Sequence, residues 1–316
     1  MPSNKILITG SSGYVASNLI PQLEPHAEIY GLDTKTSPHT NYQMDIASDD
    51  LINHISDILK ANITVINLAA ARFDFGATAT EYYNLNVTCH KKFLENLANA
   101  RIDKFIHISS VAAIDGRKIL FSENLGCDDA YRATKYLQEE VVRKWCKHKN
   151  IELIVLYPSA IFSSQYRTDT NIGKLQKLSR YIPFIPSINV KKSLTFLPDL
   201  SRFIKDSFEG KVQGGNYLTI NGPVLTVTQM MEVLSPYKRK AYKIPFLRIL
   251  LIIFSNFLYL LSGFGRIDLK LMPNRVTKLF EDTSYDKINV ADINTQAYMQ
   301  NSKRKLDEIL LDNVQK

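Results

Sequence analysis

The sequence predicts an α/β fold, in which a parallel sheet with helices on both faces precedes a smaller C-terminal lobe. The first half alternates short apolar runs with longer amphipathic stretches, the order typical of βαβ units. The apolar runs are continuous, which indicates strands buried on both faces of the sheet. After about residue 163 this alternation ends, and prolines interrupt the pattern at Pro183, Pro186, Pro198 and Pro223. We therefore expect a sheet domain over residues 1–162 and a smaller lobe over residues 163–316.

The individual elements follow from the same pattern. Strands are expected over 5–10, 28–33, 64–70, 104–110 and 151–162. Helices are expected over 14–23, roughly 81–100 and 130–150, the last with apolar residues Tyr136, Leu137, Val141 and Trp145. Pro21 and Pro25 are expected to end the first helix. In the smaller lobe, residues 216–222 are expected to form a short, isolated strand.

Composition narrows the class of protein. The chain has 316 residues, of which 45% are hydrophobic and 22% are charged, as in folded globular proteins. A net charge of +8 favours an anionic partner. Because the basic residues are scattered and no nucleic-acid module is present, we expect a nucleotide, a sugar diphosphate or an anionic membrane surface rather than nucleic acid.

Cysteine usage and the N-terminus bear on the compartment. The three cysteines form no CxxC pattern, which indicates a reducing environment. The N-terminal residues lack the apolar core of a signal peptide, so we expect a cytoplasmic protein. The six histidines are dispersed, and no metal site is expected.

A glycine pattern follows the first expected strand. Gly10, Gly13 and Ala16 have the spacing G-x-x-G-x-x-A between a strand and a helix. Glycine at 10 permits a tight turn, glycine at 13 lets the backbone approach a pyrophosphate, and a small residue at 16 lets helix and strand pack closely. The free N–H groups of the helix then face the phosphates. The pattern predicts a Rossmann-type site for a dinucleotide.

Asp33 ends the second expected strand. A carboxylate there accepts hydrogen bonds from both ribose hydroxyls and repels a 2′-phosphate, which favours NAD over NADP. Lys35, two residues on, is the opposing signal, because a nearby base can accommodate that phosphate.

Tyr131 and Lys135 lie four residues apart at the start of an expected helix. Residues at i and i+4 share one helix face, so both can reach one cofactor. A tyrosine is a weak base at neutral pH, and a lysine ammonium nearby favours its phenolate. The preceding strand ends in Ser-Ser, where a hydroxyl would point into the ligand crevice. Ser110 is our choice to orient the substrate oxygen, with Ser109 as the alternative.

Together these motifs resemble the extended short-chain dehydrogenase/reductase family, in its nucleotide-sugar epimerase/dehydratase branch. The resemblance runs through most of residues 5–162 and thins through 163–235. It is carried by TGSSGYVA from residue 9, Asp33, QMDI at 43–46, NLAA at 67–70, NLNV at 84–87, HISS at 107–110, and Tyr131 with Lys135.

The resemblance implies an NAD-binding Rossmann domain with Ser110, Tyr131 and Lys135 as catalytic residues. It places Asp45 beside the adenine, and it implies a homodimer through a helix pair that includes 130–150. The residues implied to contact the cofactor are Gly10, Ser12, Gly13, Tyr14, Val15, Asp33, Asp45, Ile46, Ala69, Ala70, Asn86, Ser109, Tyr131, Lys135 and Pro158.

The chain departs from the family pattern at several places, two of which bear on the substrate and the reaction. Tyr157 stands where an arginine usually precedes the proline. Val111 and Ala112 follow Ser110, where the dehydratases of the family carry an Asp-Glu pair, so elimination of water is not expected.

Three functions remain open from the sequence. The first is a nucleotide-sugar 4-epimerase or 4-ketoreductase in surface-polysaccharide synthesis. The second is a hydroxysteroid- or sterol-type dehydrogenase of the same family. The third is a non-catalytic NAD-binding scaffold, against which the intact Ser-Tyr-Lys set argues.

Residues 244–265 form a strongly apolar segment among basic residues. The uninterrupted apolar core is shorter than the roughly 20 residues that a spanning helix needs. A helix lying in the membrane interface on the inner face of the cell membrane would have this pattern. A helix buried in the smaller lobe or at a dimer interface would have it too.

Overall fold

The computed structural model describes residues 5–70, 77–163, 170–220, 224–235, 237, 239–262, 276–277 and 279–285. The principal strands are β1 (Lys5–Thr9), β2 (Glu28–Asp33), β3 (Tyr42–Gln43), β4 (Asn62–Asn67), β5 (Arg101–Ile108) and β6 (Glu152–Tyr157). Shorter strands follow: β7 (Ala160–Phe162), β8 (Ile185–Pro186), β9 (Lys191–Lys192), β10 (Leu194–Phe196), β11 (Gly215–Leu218), β12 (Leu225–Thr226) and β13 (Ala241–Tyr242).

Helices connect these strands. They are α1 (Tyr14–Leu23), α2 (Leu51–Leu59), α3 (Ala79–Tyr83), α4 (Cys89–Asn96), α5 (Val111–Gly116), α6 (Cys127–Lys149), α7 (Asn171–Tyr181), α8 (Leu197–Phe208), α9 (Val227–Leu234) and α10 (Leu247–Ser262). A π-helical turn, Asn84–Thr88, joins α3 to α4.

A seven-stranded parallel sheet has the order β11-β6-β5-β4-β1-β2-β3. The predicted fold class is therefore confirmed. The chain leaves β1 in one direction through β2 and β3, and then returns to the other side of β1 with β4. In such sheets ligands bind where the strand order reverses, outside the carboxyl ends of the strands. The crevice above β1 and β4 is thus the expected binding place.

The core of the sheet comes from the continuous apolar runs. Ile6, Leu7 and Ile8 of β1 and Val65 and Ile66 of β4 are all fully buried. Because both faces carry helices, successive side chains of one strand are buried on opposite faces, and no alternation with polar residues remains.

Several sequence expectations were wrong in detail. Pro21 lies inside α1, which continues to Leu23. Residues 216–222 were expected to be isolated, but β11 pairs in parallel with β6 at the edge of the main sheet. Pro198 was read as a break, yet it lies in the first turn of α8, where a missing N–H is tolerated.

The chain divides into two compact units. Of the described residues, the first comprises those within 5–159 and 196–219, and the second comprises those within 160–195 and 220–285. In the first unit α8 packs on α1 and leads the chain back to the sheet. In the second unit α7 and α9 pack together, and Ile185, Ile188, Val227 and Met231 form a small core.

Candidate active site

The loop after β1 forms a tight cradle. Gly10 has φ of +72°, a left-handed conformation that favours glycine, and a Cβ there would lie 3.0 Å from the backbone nitrogen of Ala69. The Gly13 N–H donates to the Gly10 carbonyl at 3.0 Å, and Gly13 directly precedes α1. A cradle that a side chain would fill, at the N-terminus of a helix, fits a pyrophosphate.

Asp33, at the end of β2, is tied to the same loop. Its Oδ2 accepts hydrogen bonds from the Ser12 backbone N–H at 3.0 Å and from the Ser12 hydroxyl at 2.8 Å. Its Oδ1 accepts from the Lys35 N–H at 3.0 Å. The Thr34 hydroxyl is a more distant fourth donor, at 3.5 Å from Oδ1. A carboxylate offers about four acceptor positions, so a ribose hydroxyl would take the place of this weakest contact.

The remaining residues expected at the cofactor lie on several elements. Ala69 and Ala70 follow β4, and the Ala69 N–H donates to the Thr9 hydroxyl at 3.2 Å. Asn86 is buried in the π-helical turn and donates to the Thr134 hydroxyl at 3.2 Å. The others are Tyr14 and Val15 in the first turn of α1, Asp45 and Ile46 after β3, and Pro158 after β6.

The structure distinguishes the two serines after β5. The Ser109 hydroxyl is buried and donates to Glu139 Oε2 at 2.7 Å. Ser110 caps α5, and its hydroxyl oxygen accepts from the Ala112 N–H at 3.2 Å. An oxygen that already accepts from the backbone keeps its hydrogen for another acceptor. Within the described part of the chain, the Ser109 hydrogen is thus committed to Glu139, whereas the bond of Ser110 with the Ala112 N–H uses only its oxygen.

Lys135 lies at the same end of β5. Its Nζ is 3.4 Å from the Ile108 carbonyl oxygen and 2.5 Å from Gln138 Oε1, and only 2% of the residue is exposed. Burial lowers the pKa of Lys135 to about 8, although the nearby Glu139 acts in the opposite direction. These two hydrogen bonds use two ammonium donors, and a third remains for the cofactor ribose or for Tyr131.

Tyr131 stands one turn before Lys135 on α6. Its ring packs edge-on against Tyr82, with ring centroids 5.9 Å apart, and the residue is half-buried. This contact with α3 holds the phenol ring. Tyr131 and Lys135 share one face of α6, which packs against α5 directly after Ser110, and the Lys135 ammonium reaches the carboxyl end of β5.

Sequence reasoning missed a buried cluster around Glu139. Glu139 Oε1 accepts from the Tyr157 hydroxyl at 2.6 Å and from Arg143 Nε at 2.9 Å. Tyr157, which replaces the family's arginine, therefore belongs to a buried network. The signal was available in part, because Glu139 and Arg143 continue the i, i+4 series that Tyr131 and Lys135 begin.

Sequence reasoning also missed Gln138 and His90, which are both buried beside Lys135. Gln138 Nε2 lies 2.6 Å from His90 Nε2, although the two residues are 48 positions apart. No local pattern marks either residue, so the fold was needed to find them.

Comparisons with known proteins bear on the family and the fold of the chain. A model of the NAD dependent epimerase/dehydratase family matches residues 6–201. No curated protein sequence matches the chain.

Three solved structures illustrate the likeness in fold. UDP-glucuronic acid 4-epimerase from Bacillus cereus, solved with UDP-glucuronic acid and NAD, is 18% identical with a TM-score of 0.64, covering 98% of this chain and 99% of that one. UDP-N-acetylglucosamine 4-epimerase from Bacillus cereus is 14% identical with a TM-score of 0.60, covering 76% and 85%. MoeE5, solved with UDP-glucose and NAD, is 16% identical with a TM-score of 0.64, covering 98% and 97%. At these identities the likeness extends to the fold.

Proposed function

The chain belongs to the NAD dependent epimerase/dehydratase family, and from that premise we propose that it is a nucleotide-sugar 4-epimerase or 4-ketoreductase. It is an NAD-dependent enzyme, as the family is. The observation that supports the proposal is the buried Lys135 ammonium at the carboxyl end of β5, where Ser110 follows, with Tyr131 one turn earlier on the same helix. The solved relatives, which were crystallised with UDP-sugars, support the substrate class.

Each candidate site residue would have its own role in the reaction. The loop at Gly10 and Gly13, with Asp33, would hold NAD, which would supply a hydride acceptor for the substrate carbon. Ser110 donates a hydrogen bond to the substrate oxygen and orients it. Tyr131 takes the hydroxyl proton as a phenolate, or returns it to a ketone as a phenol. Lys135, as the adjacent cation, favours the phenolate and can hold the cofactor ribose.

An epimerase and a reductase differ in the fate of the ketone. An epimerase oxidises the C4 alcohol to a ketone, lets the ketone present its other face, and reduces it again. A reductase stops after one transfer and releases its oxidised cofactor. A purified protein that retains NAD through dialysis would support the epimerase, and one that consumes NADH stoichiometrically would support the reductase.

The substrate class is tested by thermal shift in the presence of NAD, with UDP-sugars in one arm and sterols in the other. We expect stabilisation by at least one UDP-sugar and none by sterols. Stabilisation by sterols alone would replace the proposal with a hydroxysteroid-type dehydrogenase. A role in surface-polysaccharide synthesis follows only if the identified product is a precursor of such a polymer.

Tyr131→Phe tests the chemistry. General acid–base catalysis contributes typically 10²–10⁴-fold to the rate, so we expect turnover to fall by about that factor. The phenylalanine keeps the ring contact with Tyr82, so NADH affinity should stay within about twofold of wild type. Unchanged turnover on the identified substrate would remove Tyr131 from the mechanism.

We further propose that α10 contacts an anionic membrane surface. Phe246, Ile249, Leu250, Ile253, Phe254 and Phe257 follow helical spacing along one stripe, and each is more than half exposed. Residues 233–267 contain no acidic residue, and Lys240, Lys243 and Arg248 flank the stripe. Among the described residues no helix is long and apolar enough to cross a bilayer. An apolar stripe among basic residues suits a helix that lies in the interface of anionic lipids.

Vesicle sedimentation tests this contact. We expect binding to vesicles with phosphatidylglycerol, little binding to pure phosphatidylcholine, and loss of binding in Ile253→Ser/Phe254→Ser. Equal recovery of the wild-type protein and the double variant in the supernatant would overturn the proposal.

Analytical ultracentrifugation of the same two proteins tests the proposed homodimer through α6. A change of oligomeric state in the α10 variant would instead assign the stripe to a second copy of the chain.

A further inference from the structure

Gln138 and His90 form a buried hydrogen-bonded bracket behind the candidate site. Lys135 Nζ donates to Gln138 Oε1 at 2.5 Å. Gln138 Nε2 in turn donates to the Ala69 carbonyl oxygen at 3.2 Å and approaches His90 Nε2 at 2.6 Å. Gln138 is 0% exposed and His90 is 1% exposed. The mechanism above uses neither residue, and we name the pair the Gln138–His90 bracket.

The Gln138 amide fixes the roles of its oxygen and nitrogen in the bracket. The Gln138 carbonyl accepts from Lys135, so its amide hydrogens point to Ala69 and His90. The His90 ring also lies between two carbonyl oxygens, with Nδ1 3.4 Å from that of Leu85 and Nε2 3.1 Å from that of Ala69. Burial, together with the Lys135 charge, lowers the pKa of His90 to about 3. A protonated imidazole would direct an N–H at the Gln138 amide group, so the bracket requires neutral histidine.

The bracket joins three elements that border the cofactor site. Lys135 and Gln138 lie on α6, His90 lies on α4, and Ala69 belongs to the loop after β4. The backbone of that loop also packs directly against Gly10 of the phosphate cradle. A shift of the Gln138 side chain would therefore disturb the catalytic lysine and the wall of the cofactor site together.

We propose that Gln138 and His90 are positioning residues, which hold the Lys135 ammonium and the Ala69 carbonyl in one arrangement. One ammonium hydrogen then stays available to the cofactor or to Tyr131. The catalytic meaning of this inference rests on the proposed function, but the arrangement itself does not depend on the substrate.

The titration of Lys135 reports the arrangement directly. The charged or titratable groups near its ammonium are Glu139 on α6, His90 on α4 and His107 on β5. Lysine labelled with ¹³C at Cε gives one NMR resonance for each side chain, and the resonance lost in Lys135→Arg identifies Lys135. The pKa follows from the chemical shift as a function of pH, in the full-length protein without substrate.

Gln138→Met keeps the length of the side chain and removes the hydrogen bonds of Gln138 to Lys135, Ala69 and His90. A buried ammonium that loses its acceptor is less stable in the charged form, so we expect the pKa of Lys135 to fall by about one unit or more. Glu140→Gln, a change of charge two residues further along α6, should leave it unchanged and is the control.

A pair of histidine variants keeps the test decisive if Gln138→Met folds poorly. His90→Gln can present an oxygen near the place of Nε2, whereas His90→Leu removes the acceptor. We expect His90→Gln to behave like wild type and His90→Leu to shift the Lys135 titration. Melting temperatures measured alongside show that each variant is folded.

Turnover separates positioning from a merely structural role. On a nucleotide sugar that the thermal-shift assay identifies, we expect Gln138→Met to lower kcat at least tenfold with KM within twofold. We also expect it to move the pH–rate profile together with the Lys135 titration. A structural residue would lower the melting temperature and leave both titrations in place. If Gln138→Met and His90→Leu leave the pKa of Lys135 unchanged, the inference is overturned. If no nucleotide sugar is turned over, the proposed function fails while the NMR result still decides the bracket.

Discussion

Glu139→Gln should destabilise the sheet-containing unit, because the Glu139 carboxylate is the hub of a buried network. Its side chain is 1% exposed. Ser109 donates to one oxygen at 2.7 Å, and Tyr157 donates to the other at 2.6 Å. Arg143 adds two N–H groups, at 2.9 and 2.8 Å. The variant keeps the shape of the side chain and removes the charge.

The expected loss can be estimated from these contacts. Removing one partner of a buried ion pair costs about 3–5 kcal/mol, since the other charge is left uncompensated. The Arg143 side chain is 26% exposed, so water screens part of this cost. The amide of glutamine also retains one acceptor, while its NH₂ group faces donors. We expect a loss of about 3 kcal/mol in the free energy of unfolding.

Urea unfolding followed by tryptophan fluorescence measures this loss. Trp145 is the single tryptophan of the chain and lies on α6, with its ring centroid 6.2 Å from that of Phe105 on β5. It therefore reports the unfolding of the unit that contains Glu139. Glu140→Gln makes the same chemical change one residue later, at a half-buried position, and should stay within about 0.5 kcal/mol of wild type.

The two variants together decide whether the network stabilises the fold. If Glu139→Gln and Glu140→Gln lose equal stability, the buried network contributes nothing beyond an ordinary surface charge. Ser109 would then not be committed to structure, and the choice of Ser110 to contact the substrate would lose its basis.

Three further predictions concern the same unit. Gly10→Ala should weaken NADH binding at least tenfold and destabilise the fold by about 1–2 kcal/mol, because φ is +72° and the new Cβ meets backbone at 3.0 Å. The control is Gly126→Ala, where a Cβ meets nothing within 4 Å. If the two variants bind NADH with equal affinity, Gly10 does not form a phosphate cradle. Asp33→Asn should weaken NADH binding and reduce the ratio of NADH affinity to NADPH affinity, as measured by fluorescence titration. An unchanged ratio of the two affinities would contradict the assignment of Asp33 to the cofactor ribose. Burial lowers the pKa of both His90 and His107 in the folded state, so the unfolded chain binds more protons below about pH 6.5. The free energy of unfolding should therefore fall with decreasing pH, by up to about 1.4 kcal/mol per pH unit for each histidine. Urea unfolding between pH 7 and 5 should show a weaker pH dependence of stability in His90→Gln than in wild type, and an equal dependence would contradict the prediction.

The sequence alone determined the features that depend on neighbouring residues. The glycine turn at Gly10, the carboxylate at the end of β2 and the pairing of Tyr131 with Lys135 are each read within a few positions. Continuous apolar runs gave the parallel sheet for the same reason, because burial on both faces leaves its mark along a single strand.

The role of some residues could be assigned only from the fold, because the same residue type is compatible with two different structural roles. Pro198 reads as a break in isolation, but in the structure it opens α8. Residues 216–222 read as an isolated strand, because only the return of the chain through α8 brings β11 beside β6. Ser109 and Ser110 are identical in type, and their roles separate only once Glu139 approaches one of them.

The buried partners of Lys135 were decided by tertiary structure alone. Gln138 and His90 meet across 48 residues of chain, and no local pattern records that contact. The interactions that form helices and turns join residues close together in the chain, so they can be predicted from the sequence. A hydrogen bond between distant elements exists only after the strand order has brought their helices together, and it then fixes protonation and orientation through burial.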